Sequence, residues 1–175
     1  MHGLFAAAGA VVLACVAALS SLDARAEAAE AEVPAESVAV RMLWSTLDTL
    51  WNARDAERFG DLFAVDASFE FVDRGERLEG RRAIRRHFAQ RFPRFAPDVR
   101  HRTHVREVHA IAPGVSTVDG KVEILREGTG DGAEPVVSRT FAIFAVMLRT
   151  ADGWKIRTLR AYALPAADGP APAST

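Results

Sequence analysis

The sequence predicts an α+β domain in which helices pack on one face of a curved, mostly antiparallel sheet. Three observations carry that prediction. An apolar stripe at helical spacing runs from Val40 to Trp51, a hairpin and another helical stretch follow as far as Arg91, and four long strand-like segments then succeed one another across short turns. Helices first and a meander afterwards place the helices on one side of the sheet.

The chain has 175 residues, 49% hydrophobic and 26% charged. That composition suits one globular domain with extensions, since a single core commonly takes about 100–200 residues. The net charge of −1 gives no general attraction to nucleic acid or acidic membranes, so neither is expected as a partner. Arginine outnumbers lysine 20 to 2, and eleven arginines fall between Arg74 and Arg106. Their spread over several elements reads as coding bias and a solvated face, with an anion-binding patch as the alternative.

Residues 1–26 read as a secretory signal peptide. Leu4 to Leu22 is apolar apart from small residues, and Ala24-Arg25-Ala26 places small side chains where a signal peptidase needs them. The expected location is periplasmic or secreted, with no membrane attachment after cleavage. Cys15, the single cysteine, follows Val12-Leu13-Ala14 in a lipobox-like arrangement, so a lipid anchor at Cys15 is the alternative. Residues 27–35 form an Ala/Glu-rich lead-in, residues 36–164 the folded domain, and residues 165–175 a Pro/Ala-rich mobile tail.

Within the domain, Val40, Leu43, Trp44, Leu47, Leu50 and Trp51 share one face of the first helix. Asp55 can cap a short second helix reaching Phe63, because its carboxylate can accept free backbone donors. Ser68 to Asp73 forms a strand, Arg74-Gly75 a turn, and Glu76 to Glu79 the returning strand. A third helix over Arg81–Arg91 buries Ile84 and Phe88, and Pro93 stops it from continuing. The remaining strands are His101–Ile111, Val115–Glu127, Val137–Leu148 and Trp154–Leu164, broken at Pro113-Gly114, Gly128–Gly132 and Asp152-Gly153. Consecutive strands across short turns pair antiparallel.

Trp51-Asn52 with Asp55, Leu62-Phe63, Asp66-Ala67, Gly75, Leu78 with Gly80-Arg81, Ala83-Ile84, Phe88 and Asp152-Gly153-Trp154 come in an order and spacing that resembles the nuclear-transport-factor-2-like superfamily. Within it the chain is similar to the small SnoaL-like group often labelled SgcJ/EcaC. The resemblance implies a cone-shaped half-barrel around an apolar cavity, often a homodimer through the outer sheet face. It does not fix a reaction, because the scaffold hosts isomerases, cyclases, dehydratases, epoxide hydrolases and binding proteins.

Ketosteroid isomerases, which look similar around these elements, need a carboxylate base and an oxyanion hole of a tyrosine and a protonated aspartate. By the resemblance, the tyrosine falls on Leu47, the base on Phe71 and the aspartate on Ala145. All three are apolar, so that mechanism is not expected. A one-residue slip at the hairpin would bring Glu70 or Asp73 inward, at the cost of turning Phe69 and Phe71 out. The same comparison points Val118, Gly120, Val122 and Ile124, then Phe141, Ile143, Ala145 and Met147, then Leu159, Ala161 and Ala163, into the cone, and Arg160 and Tyr162 outward.

His101, His104 and His109 invite a metal reading, but alternation along a strand separates His104 from the other two, so no metal and no cofactor are expected. His104 shares parity with Val108 and Ala110 and is the candidate acid or base at the cavity mouth. The candidate ligand pocket is Trp44, Leu47, Phe71, Val122, Phe141, Ala145 and Leu159. Two functions fit these residues. One is an exported domain holding a small hydrophobic molecule, with or without isomerase-, cyclase- or dehydratase-type chemistry. The other is a non-catalytic dimeric interaction module whose cavity is filled by side chains such as Trp44, Trp51 and Phe69.

Overall fold

The computed structural model describes residues 35–128 and 133–165. The leader, its cleavage after Ala26, Cys15, and the tail beyond Pro165 lie outside the described residues. The chain divides into two units at Glu36 and Ser37, and the sheet with the helix faces packed on it belongs to the second.

Helix α1 spans residues 35–52, and its predicted stripe is buried from Val40 through Trp51. Helix α2, Ala56–Asp61, starts at Asp55, whose carboxylate accepts from the Arg58 backbone N–H at 2.9 Å. Strand β1 is Phe63–Phe71, β2 is Glu76–Glu79, and helix α3 is Arg81–Arg91. Between β1 and β2, Val72–Arg74 makes one turn of 3-10 helix that ends on Gly75 at φ 61, a left-handed position that glycine occupies without a Cβ penalty. Ile84 and Phe88 are buried on α3. Strands β3, Arg100–Ala112, β4, Val115–Arg126, β5, Val136–Thr150, and β6, Gly153–Ala163, complete the sheet.

The strand order is β2-β1-β6-β5-β4-β3. All neighbours are antiparallel except β1 and β6, which run parallel from Phe63 opposite Ile156 to Phe71 opposite Ala161. That pairing corrects one boundary. The second helix does not reach Phe63, because the Ile156 backbone N–H donates to Leu62 O at 2.9 Å and the chain enters β1 there. Phe63 still packs on Phe59, with ring centroids 5.5 Å apart.

Register shifts interrupt every pairing from β1–β6 to β3–β4. Each inserted residue bends its strand and increases its twist. The sheet therefore curves without closing, and its concave face holds the apolar core of α1, α2 and α3. Phe69 and Phe71 point into that concavity while Glu70, between them, pairs with Arg160 at 3.4 Å on the other side. No slip of the hairpin register occurs.

Candidate ligand-binding and catalytic site

The concave side encloses a cavity of about 370 Å³, within the roughly 300–1,000 Å³ range of small-molecule sites. Of the residues proposed from sequence, Trp44, Leu47, Phe71, Val122, Phe141 and Leu159 line it. Ala145 does not: it is fully buried deeper in the core, on the same strand face as Ile143. The aromatic side chains leave this space open, so a cavity filled by its own side chains is not what the fold produces. The Trp44 indole Nε1–H is buried with no hydrogen-bond partner, a donor that an acceptor on a bound molecule could occupy.

His104 is not at the mouth. It pairs across the sheet with Lys121 on the convex face, where its Nε2 lies 3.0 Å from Glu123. The physical reason is the register shift between Val105 and Glu107, which inserts Arg106. Before the shift His101, Thr103 and Val105 face inward; after it Val108 and Ala110 do, so parity with Val108 does not carry back to His104.

His101 takes the inward place. It lines the cavity, and its Nδ1 is 2.7 Å from Asp48 Oδ1 on α1. Asp48 is held from both sides of its carboxylate: Thr103 donates its backbone N–H to Oδ2 at 2.8 Å and its hydroxyl to Oδ1 at 2.7 Å. Asn52, one helical turn on, exchanges two hydrogen bonds with the His101 backbone, Nδ2 to O at 2.9 Å and N to Oδ1 at 2.8 Å. Arg41 donates to Val105 O at 2.9 Å. These three side chains lie along one stripe of α1 and occupy the free edge of β3, which would otherwise present unpaired backbone groups.

The loop before His101 is pinned as well. Arg54 adopts φ 59, donates to Val99 O at 2.6 Å and stacks its guanidinium 4.4 Å over Trp51. Trp51 in turn packs against the His101 ring at 5.0 Å. Position, edge pairing and ring packing thus fix one imidazole at the cavity wall. A carboxylate acceptor at Nδ1 makes that nitrogen the protonated one and leaves the Nε2 lone pair on the opposite edge.

A second histidine lines the cavity from α3. His87 Nδ1 is 3.2 Å from Glu76 Oε1. Burial holds its imidazole below the ordinary range, Glu76 opposes that, and Arg91 and Arg74 add to it. Among the described residues, no group of three histidine, cysteine or acidic side chains is placed to hold a metal ion.

The family model of the SnoaL-like domain matches residues 33–160. The chain belongs to the SnoaL-like domain family. Solved structures agree with this SnoaL-like fold. A nuclear-transport-factor-2-like protein with a cystatin-like fold from Novosphingobium aromaticivorans is 20% identical, with a TM-score of 0.69 over 81% of this chain and 90% of that one. A domain of unknown function from Nostoc punctiforme is 22% identical, with a TM-score of 0.65 over 77% and 80%. Aln2 from a Streptomyces species is 18% identical, with a TM-score of 0.64 over 73% and 90%. Likeness at these identities establishes the fold. None of the curated proteins matches the chain.

Proposed function

We propose that this SnoaL-like domain binds a small, mainly apolar organic molecule in its cavity and transfers a proton on it, with His101 as the base. The observation that supports this is the Asp48–His101 pair at the wall of the cavity. Neutral His101 accepts a substrate proton at Nε2, and the resulting imidazolium is stabilised by the Asp48 carboxylate on Nδ1. The proton can return at another position of the same molecule, an isomerisation, or go to a departing hydroxide as water, a dehydration. Positioned general bases of this kind contribute roughly 10²–10⁴-fold to rate. The apolar triad positions Leu47, Phe71 and Ala145 leave the ketosteroid-isomerase arrangement unfilled, so His101 carries the chemistry by a different geometry.

The test begins with N-phenyl-1-naphthylamine, a neutral apolar fluorophore. Saturable one-to-one binding is expected in the wild type, and its loss in Ala161→Trp, which places an indole into the cavity. A folded wild type that does not bind the dye would overturn the binding reading. Cyclic ketones and alcohols that displace the dye are then incubated in D₂O, and deuterium incorporation is read by mass spectrometry. His101→Asn should still allow displacement but lower incorporation by about 10²-fold or more. Undiminished incorporation would remove His101 as the base.

A further inference from the structure

The apolar wall explains a hydrophobic ligand but not the charge that surrounds it. Arg74, Arg91, Arg126 and Arg139 all line the cavity, and no aspartate or glutamate does. The whole chain carries 23 acidic against 22 basic residues, so the imbalance is local to this site. The four arginines arrive from separate places: the 3-10 turn after β1, the end of α3, the end of β4 and the start of β5.

Their surroundings leave the charge available. Among the described residues, none of the ion pairs joins a carboxylate to Arg91, Arg126 or Arg139, although Asp73 lies near enough to Arg139 for that charge to help hold its carboxyl below the usual range. Arg74 reaches Glu76 only at 3.8 Å, and its guanidinium sits 4.2 Å over the Phe71 ring. Arg139 stands 6.0 Å over Phe141. Phe71 and Phe141 are themselves cavity wall, so each of these two guanidinium groups lies directly beside an apolar surface. Arg91 is half-buried while Arg74, Arg126 and Arg139 are exposed, so the guanidinium groups border the open side of one apolar concavity, where a ligand's charged end could meet them. Guanidinium groups suit planar oxyanions, which they can contact through two parallel hydrogen bonds.

Resting on the binding reading above, we infer that the cavity selects an amphipathic organic anion, its apolar body against Phe69, Phe71 and Leu159 and its charged head among Arg91, Arg126 and Arg139. The apolar part gives affinity and the arginines give selection. A neutral molecule of the same body leaves the guanidinium groups without a partner and binds more weakly.

The experiment compares two probes of nearly the same body, 8-anilinonaphthalene-1-sulfonate and uncharged N-phenyl-1-naphthylamine, by fluorescence titration of the full chain. The sulfonate is expected to bind about tenfold tighter or better, a preference that weakens as salt rises. In the double variant Arg91→Gln/Arg139→Gln, checked for an unchanged circular-dichroism spectrum, the ratio of the two affinities should fall to within about threefold. Equal affinities in the wild type would overturn the anion inference and leave the apolar cavity standing. A preference that survives the double variant, or sulfonate binding that persists in Ala161→Trp, would place the anion elsewhere and overturn it too. Absence of saturable binding by the neutral dye would remove the binding reading, and this inference with it.

Discussion

Glu123 is 9% exposed in its side chain and remains charged because Lys121 and Arg102, two cations, and the His104 imidazole converge on it. Lys121 Nζ is 2.7 Å from Oε1, Arg102 Nη2 is 2.8 Å and His104 Nε2 is 3.0 Å from Oε2. Hydrogen bonds from Lys121 and Arg102 outweigh burial and lower its pKa from 4.5 to about 2. A carboxylate depressed in the folded state contributes stability that is fully present above its unfolded pKa and lost as pH falls towards the folded one. The wild-type melting temperature should therefore drop between about pH 4.5 and pH 2 partly through this group, and Glu123→Gln should flatten that part of the profile. At neutral pH the variant should cost roughly 1.5–3 kcal/mol, read by urea denaturation, because Lys121 and Arg102 lose a charged acceptor. A variant as stable as wild type would show that the cluster is solvated in practice. His104 thus belongs to a charge cluster on the convex face, whereas His101, paired with Asp48, lines the cavity. In the sequence, Asp48 is one polar residue on an amphipathic helix. Its signal is the spacing of Arg41, Asp48 and Asn52, a polar stripe running beside the apolar one, and a helix face cannot be told from a sheet contact without knowing what lies opposite.

Among the elements, β3 and β4 meet closely around Gly120. A Cβ there would lie 2.5 Å from His104 O and 3.3 Å from the Val105 Cα. Neither is the end of a flexible side chain, so the backbone would have to move. Gly120→Ala is expected to destabilise by about 1–3 kcal/mol, measured as a shift in denaturant midpoint; no shift would mean that the edge strand yields freely. The close approach belongs to the same register irregularity that displaced His104. Helix faces and strand alternation were legible along most of the chain, since the 3.6- and two-residue periods of Val40–Trp51 and Phe141–Met147 match the buried positions. Bulges were not. An extra residue changes the phase of everything after it, and the only local mark here was two polar residues, Arg106 and Glu107, between Val105 and Val108.

Across the whole unit, the helices and the curved sheet meet through aromatic side chains. Phe88 sits among Phe59 at 4.4 Å, Phe92 at 5.4 Å and Phe69 at 5.6 Å between ring centroids. Phe88→Ala should cost about 3–5 kcal/mol of unfolding free energy, and a loss below 1 kcal/mol by calorimetry would show that the aromatic cluster repacks around the gap. Residue order alone was enough to say that these side chains would be buried, in helices and strands of this succession, and that the polar groups of a ketosteroid-isomerase site were missing at Leu47, Phe71 and Ala145. The burial is a consequence of local periodicity and residue type, and the missing groups are what the family resemblance implies. It took the folded arrangement to set β1 parallel to β6, to bring Asp48 to His101 across 53 residues of chain, and to gather four of twenty arginines around one cavity. Contacts between distant segments depend on where the strands curve and which edge a helix covers, and a one-residue bulge reverses the face of every side chain beyond it.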